Sequence, residues 1–391
     1  MTDPIFCCFE QALVGRAVRL DVCQLSYTEL SGRTERWSSK YRVMVDALAR
    51  RALLGSCLAL VCAHPLRAED DFAAWEAFKA RFVSSEGRVR DFANEDISHS
   101  EGQAWALLLA ARRGDAEAFQ RVQSWTYRTL GIRRDALLAW RYRPGPNGGV
   151  DDLNNATDAD LYHAHALLIA HRRWPDRGYL GLAQRVGHAI EARNVRWLRD
   201  RRLLIPGATG FEFASHVEVN PSYYAFAALD ALDAAFPGRG WAEVARDGEA
   251  LLASARFGQF GLPPDWLRVD RRDAALSPVA GRGDRFGYDA IRVPLNLIWG
   301  RRAAHPIVDA AARFWSDPGF GHLPAWARLN TNEVSPYPAG SGIAAIAGLV
   351  LARQAGGLGS PPPAGATVAG SYYDAVLGLL TREAWRDSKI G

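Results

Sequence analysis

Apolar side chains recur at three- and four-residue spacing through residues 101–113, 116–130, 158–173, 179–193, 222–236 and 241–256. The same spacing returns through 289–300, 305–315, 340–354 and 371–385; it is the period of a helix with a buried face. Breakers separate the runs: Gly114-Asp115, Pro144 to Gly149, Pro175 to Gly178, Pro237-Gly238, Pro263-Pro264 and Gly356 to Pro363. Alternation with period two is scarce, and Glu212 to Val219 is the best candidate for a short strand. Helix after helix, without a linker of disordered composition, predicts a mainly α domain of paired helices in a ring or solenoid. No repeat period is visible, so a TPR- or ankyrin-like array is unsupported.

The first 68 residues stand apart. All five cysteines (Cys7, Cys8, Cys23, Cys57, Cys62) and both methionines (Met1, Met44) lie there, which leaves no disulfide framework or cysteine metal site downstream. Arg50-Arg51, an apolar run from Ala52 to Ala63, and Leu66-Arg67-Ala68 before Glu69-Asp70-Asp71 have the order of a secretory signal. The run is too short to span a bilayer comfortably. Arg50-Arg51 also admits a twin-arginine export signal, and a buried helix is the alternative for this stretch. The expected division is therefore an upstream extension over 1–43, a signal over 44–68 and a cysteine-free domain over 69–391. Such a domain is exported, periplasmic or secreted, and free of the membrane once the signal is removed.

Charge adds little. The formal net charge is +4 from 47 basic and 43 acidic side chains, too small for an electrostatic footprint on nucleic acid. His163, His165 and His171 share a helix without an HExxH pattern, and the chain has no P-loop, GxGxxG or GxSxG. No metal and no cofactor are expected.

Three clusters could carry chemistry. In Ser98-His99-Ser100-Glu101-Gly102-Gln103, Ser98 and Glu101 have the spacing of a capping box. Alternatively, Glu101 is a general acid, which requires burial or a second carboxylate to hold its proton. In Asn154-Asn155-Ala156-Thr157-Asp158-Ala159-Asp160, Thr157 with Asp160 could cap the next helix. Yet two aspartates exceed what a cap needs, and the surplus could keep Glu101 protonated or hold a sugar hydroxyl. In Tyr288-Asp289-Ala290-Ile291-Arg292, Asp289 and Arg292 form either a local i,i+3 ion pair or a base with the cation that orients it. Trp105, Trp140, Tyr223, Trp266 and Tyr288 accompany the clusters, and flat aromatic faces stack on sugar rings, although Trp105 has a helix-interior position suited to the core.

Taken together, these clusters resemble bacterial glycoside hydrolases of family 8, and most closely the endoglucanases that accompany cellulose synthase. The likeness runs from about Phe72 to Trp385. It includes Ala156 to Asp160 through Ala164, Ala170 and Trp174, with His163 departing from the family's Ile or Met, as well as Asn220-Pro221-Ser222-Tyr223 and Pro264-Asp265-Trp266. The resemblance implies an all-α (α/α)6 barrel and inverting hydrolysis of a β-1,4-glucan, the polysaccharide partner. It implies Glu101 as proton donor, Asp289 as the base that activates water, and Asp158 at the sugar beside the cleaved bond. Asp160, Trp105, Trp140, Asn220, Tyr223, Trp266, Tyr288 and Arg292 are the expected substrate contacts. Inversion requires room for a water between the two working carboxyls, roughly 6.5–9.5 Å. Association with the cellulose synthase export machinery is a further implication. Xylanase, chitosanase or mixed-linkage glucanase activity, and a non-catalytic glucan-binding subunit, are the alternatives.

Overall fold

The computed structural model describes residues 63–146, 148–355 and 370–389. The expected upstream extension and most of the expected signal, together with every cysteine, lie outside these residues. The chain divides into two units. Of the unit spanning Cys7–Ala73, the described part is the opening of a helix, α1 (Ala63–Phe82). The other unit, from Ala74 onward, holds all the remaining described elements.

Ten further helices follow among the described residues: α2 (Ser100–Arg113), α3 (Ala116–Thr129), α4 (Thr157–Arg173), α5 (Tyr179–Asn194), α6 (Phe226–Ala235), α7 (Trp241–Ser254), α8 (Arg292–Trp299), α9 (Pro306–Trp315), α10 (Ser341–Gln354) and α11 (Tyr372–Lys389). Most of their ends fall within a residue or two of the hydrophobic periodicity. The clearest exceptions are α6 and α8, which start later because a 3-10 turn (Pro221–Tyr223) and a non-helical bend precede them. The stop between α2 and α3 has a plain cause. Gly114 adopts φ 75°, a left-handed conformation that favours glycine, and Asp115 then caps α3 by accepting from the Ala118 amide at 3.0 Å. The same carboxylate accepts from Trp75 Nε1 at 2.9 Å and Lys79 Nζ at 2.6 Å, tying α1 to this corner.

Burial separates two kinds of helix. In α4 every residue from Thr157 to Ala170 is buried, and in α11 every residue from Tyr372 to Trp385 except the half-buried Asp374. A helix enclosed on all sides belongs to an inner ring. By contrast, α3 buries a stripe of Ala118, Phe119, Val122, Gln123, Trp125 and Thr126. Packing closes the inner ring in the order α2, α4, α6, α8, α11 and back to α2, with α3, α5, α7, α9 and α10 packed outside it. This is the (α/α)6 barrel. Between α9 and α10, where a regular sequence of pairs would place another inner helix, the chain at 316–340 is irregular apart from one two-residue strand.

Among the described residues nine short strands, more than the periodicity suggests, decorate the connections. Four of them line up the site. β1 (Ser98–His99) pairs antiparallel with β2 (Arg141–Tyr142), and the Ser100 amide donates to the Trp140 carbonyl, fixing the start of α2. β5 (His216–Val219), within the segment expected to be a strand, pairs with β6 (Leu267–Asp270) in the register Val219↔Leu267. That register sets Asn220, just after β5, near Trp266, just before β6. The hairpin of β3 (Val195–Leu198) and β4 (Arg201–Leu204) leads to Ile205 and Pro206, which hold the start of α4. β7 (Leu276–Pro278) extends the β5–β6 sheet, and β8 (Arg285–Phe286) pairs with β9 (Ala327–Arg328) just before Asp289.

Both expected caps are corrected. Ser98 lies in β1 and donates to the Val89 carbonyl at 2.6 Å while accepting from Arg88 Nε at 2.8 Å; His99 occupies the N-cap of α2 without a side-chain bond. Thr157 is already helical, and its hydroxyl donates to the Ile205 carbonyl at 2.7 Å. Neither Glu101 nor Asp160 is tied up as a capping partner, which leaves Glu101 available for other work.

Candidate active site

Inner helices present Glu101 and Asp158 from their first turns, and Asp289 from the bend leading into a third. Glu101 is the second residue of α2, Asp158 the second of α4, and Asp289 precedes α8 by three residues. Helix N-termini favour carboxylates, so the fold gathers acids at this end of the ring at reduced cost.

One guanidinium joins them. Arg292, the first residue of α8 and buried, donates through Nη1 to Glu101 and lies 3.3 Å from Asp158 Oδ2. Through Nη2 it donates to Asp289 Oδ1 at 2.6 Å and to Ser222 Oγ at 3.0 Å. The local Asp289–Arg292 pair is therefore present, and it is one arm of a larger bridge. A second layer holds the bridge in place. Asn296 Nδ2 donates to the Ser222 carbonyl at 2.8 Å, Tyr162 donates to Asn296 Oδ1 at 2.8 Å, and Asn220 Oδ1 accepts from both the Ser222 amide and its hydroxyl. Ser222, Asn296 and Tyr162 were not singled out from sequence as candidate site residues; their partners lie 70–134 residues away, and spacing carries no signal of that kind.

Accessibility and charge distinguish the three acids. The Glu101 side chain keeps 20% of its surface exposed, against 7% for Asp289 and 1% for Asp158, so Glu101 is the acid a bulky leaving group can reach. Glu101 and Asp158 lie within hydrogen-bonding reach of each other. Two buried carboxyls in contact hold one proton between them. Burial and the Glu101 charge push Asp158 well above the usual carboxylate range. Burial also opposes the Glu101 charge, but the Arg292 guanidinium beside it prevails and holds Glu101 below its ordinary value. The two directions favour Asp158 as the proton's holder in the free site, a different distribution from one in which Asp158 simply keeps Glu101 protonated. Asp289 is raised by burial, with Arg292 opposing.

The other expected contacts fall into two groups. Tyr223 is buried among the carboxylates, and Asp158, Asp289 and Glu101 together with burial push its hydroxyl well above 10. Tyr288 is half-buried, its ring edge-on to Tyr373 at 6.2 Å, and Asn220 is close enough to Asp289 to favour its charged form. These residues surround the bridge. Asp160 does not: it is fully buried, with one oxygen accepting from the Leu138 amide at 3.0 Å and the other from Asn155 Nδ2 at 2.8 Å. Its role here is to pin loops, and the expectation of a sugar contact is corrected. Trp105 is likewise buried, 5.5 Å beneath the Arg292 guanidinium. Trp140 lies under Arg141 with Nε1 bound to Asp152, and Trp266 stacks on Phe211 with Arg282 over its ring. None of these three tryptophans offers the open face that sugar stacking needs.

Comparisons with known proteins give the family. The sequence profile described as Glycosyl hydrolases family 8 matches residues 51–387. The chain belongs to that family and is a glycoside hydrolase. A "Probable endoglucanase" of Novacetimonas hansenii is 39% identical over 318 residues, covering 81% of this chain and 91% of that protein. An "Endoglucanase" of Cellulomonas uda is 35% identical over 278 residues, covering 71% and 77%. Among solved structures, an endo-β-1,4-glucanase from Acetobacter xylinum superposes with a TM-score of 0.75 at 37% identity, covering 82% of this chain and 99% of that one.

Proposed function

We propose that this hydrolase is an inverting endo-β-1,4-glucanase with Glu101 as proton donor and Asp289 as base. The observation that carries the reading is the Arg292 bridge, which sets Glu101 on one guanidinium nitrogen and Asp289 on the other. Interposing the guanidinium keeps the two carboxyls apart, as inversion requires, whereas Asp158 lies against Glu101. As a glucan fills the cleft and water leaves, the Glu101 charge becomes costlier to maintain, and the contact with Asp158 offers a path for the shared proton onto Glu101. Glu101 then protonates the leaving oxygen. Asp289, held in place by Arg292, takes a proton from the attacking water on the opposite face of the sugar. Asp158 remains at the sugar beside the cleaved bond, with no covalent intermediate.

Support for a β-1,4-glucan comes from the relatives at 35–39% identity, which are named endoglucanases. A β-1,3-1,4-glucanase and an exo-oligoxylanase match at 18% identity and share the fold alone. The Acetobacter likeness, with the signal-like segment at 44–68, supports an exported enzyme acting beside the cellulose synthase machinery. The test is reducing-sugar release from carboxymethyl cellulose by the wild type and Glu101→Gln, with product anomers read by NMR. Activity that falls by orders of magnitude in the variant, with α-anomers formed first, is the expected result. A silent wild type, a fully active variant or β-anomers would overturn the corresponding part of the reading.

A further inference from the structure

Asp265 lies outside the bridge and is not among the acids expected to act. It sits between Pro264 and Trp266, two residues ahead of β6, and its amide donates to the Arg285 carbonyl at 2.8 Å. A single oxygen, Oδ1, accepts three backbone amides, from Ala290 at 2.7 Å and from Gly287 and Asp289 at 3.1 Å each. These amides belong to the non-helical bend just before α8, where donors have no intrahelical partner. The bend approaches the carboxyl closely: a Cβ on Gly287 would come 2.4 Å from Asp265 Oδ2. Glycine is therefore required there for space.

We propose that Asp265 is a positioning residue for the hydrolysis, gathering the amides of Gly287, Asp289 and Ala290 into the one bend that aims the Asp289 carboxylate between Arg292 and the attacking water. This rests on the reading of Asp289 as the base. Two of the three amides are those of the base itself and of the residue after it, so loss of the anchor displaces Asp289 before anything else. Charge is arranged to suit. Burial and the Asp289 charge push the Asp265 carboxyl up to about 8, so at neutral pH the anchor carries a proton. The bend then needs an acceptor oxygen at position 265 rather than a negative charge, and asparagine supplies one.

The experiment is steady-state kinetics on a cello-oligosaccharide with the full chain carrying Asp265→Ala, Asp265→Asn, Gly287→Ala or Asp289→Asn, each checked for cooperative thermal unfolding. Asp265→Ala is expected to lower kcat about 100-fold, the order of loss from a 1 Å misplacement, with KM within about threefold of wild type. Asp265→Asn is expected to recover most of kcat. Gly287→Ala forces the bend off the carboxyl without altering a titratable group, and is expected to resemble Asp265→Ala; it decides the matter if Asp265→Ala does not fold. Wild-type kcat in folded Asp265→Ala or Gly287→Ala, or an Asp265→Asn as poor as alanine, overturns the proposal. Asp289→Asn separates the two readings: if it stays active the base assignment fails, and if it is dead while Asp265→Ala is unimpaired only the anchor fails.

Discussion

Asp289 Oδ1 accepts from Arg292 Nη2 at 2.6 Å, one helical turn further along the chain. The bond links the proposed base to the only cation that also touches Glu101 and Asp158 among the described residues. Lysine would preserve the charge, but its compact ammonium cannot reach acceptors distributed over Glu101, Asp158, Asp289 and Ser222. Arg292→Lys is therefore expected to lower kcat about 100-fold or more. Near-wild-type turnover in that variant would show that charge alone suffices.

Asp160 gives the opposite kind of prediction. Its two buried hydrogen bonds hold Leu138 and Asn155, and truncation strands both donors at about 1–3 kcal/mol each. Asp160→Ala should lower the unfolding midpoint markedly while leaving KM for the glucan unchanged. A raised KM in folded protein would restore Asp160 to the substrate site.

Stability should respond to pH with an unusual sign. Burial raises Asp160 to about 7, and burial with the Asp289 charge raises Asp265 to about 8. Unfolded, both titrate near 4. From about pH 4 up to those values the folded state holds the extra protons, so each group makes stability fall as pH rises, by up to about 1.4 kcal/mol per pH unit. Lowered carboxyls such as Asp115, where burial is outweighed only by the bonds from Lys79, Ala118 and Trp75 together, pull the other way. Their contribution is already complete above pH 5. Buried His163 and His165, lowered by burial to about 4 and about 3, offset this below about pH 6.5, so thermal melts between pH 6.5 and 8 should show a declining midpoint, and a shallower decline in Asp265→Asn. A flat or rising midpoint would show that these two acids ionise normally.

Gly248 marks a close approach in the outer layer. A Cβ there would lie 2.2–2.3 Å from ring atoms of Tyr224, which is fully buried and accepts from the Leu204 amide at 3.1 Å. The ring cannot move aside without losing that bond. Gly248→Ala should cost about 1–3 kcal/mol in chemical denaturation. An unaltered denaturation midpoint would show that the contact relaxes freely.

Helices were legible because their signal is local, but their layers were not. Periodicity marks both α3 and α4, yet only burial reveals that α4 is enclosed all round. The caps misled for a related reason. Ser98 and Thr157 have capping spacing, but their hydroxyls satisfy carbonyls 9 and 48 residues away, and tertiary partners outcompete the local one. Glu101, Asp158 and Asp289 stood out through family-like motifs. Arg292 stood out only as the partner of Asp289; its bonds to Glu101 and Asp158 did not, because they span 191 and 134 residues. Tryptophans near the motifs were overvalued as sugar platforms: frequency along the chain says nothing about which ring face a neighbouring arginine already covers.

The closed inner ring has a consequence for how the enzyme becomes active. Until α8 docks, Glu101 and Asp158 face each other with their bridging cation missing, and only a shared proton, water or distance can offset their charge. A fragment ending before residue 292 therefore lacks more than a base; it carries an uncompensated electrostatic fault at its centre. Cleavage competence and completion of the fold arrive in the same event, so a nicked or partly synthesised chain should be inert rather than weakly active.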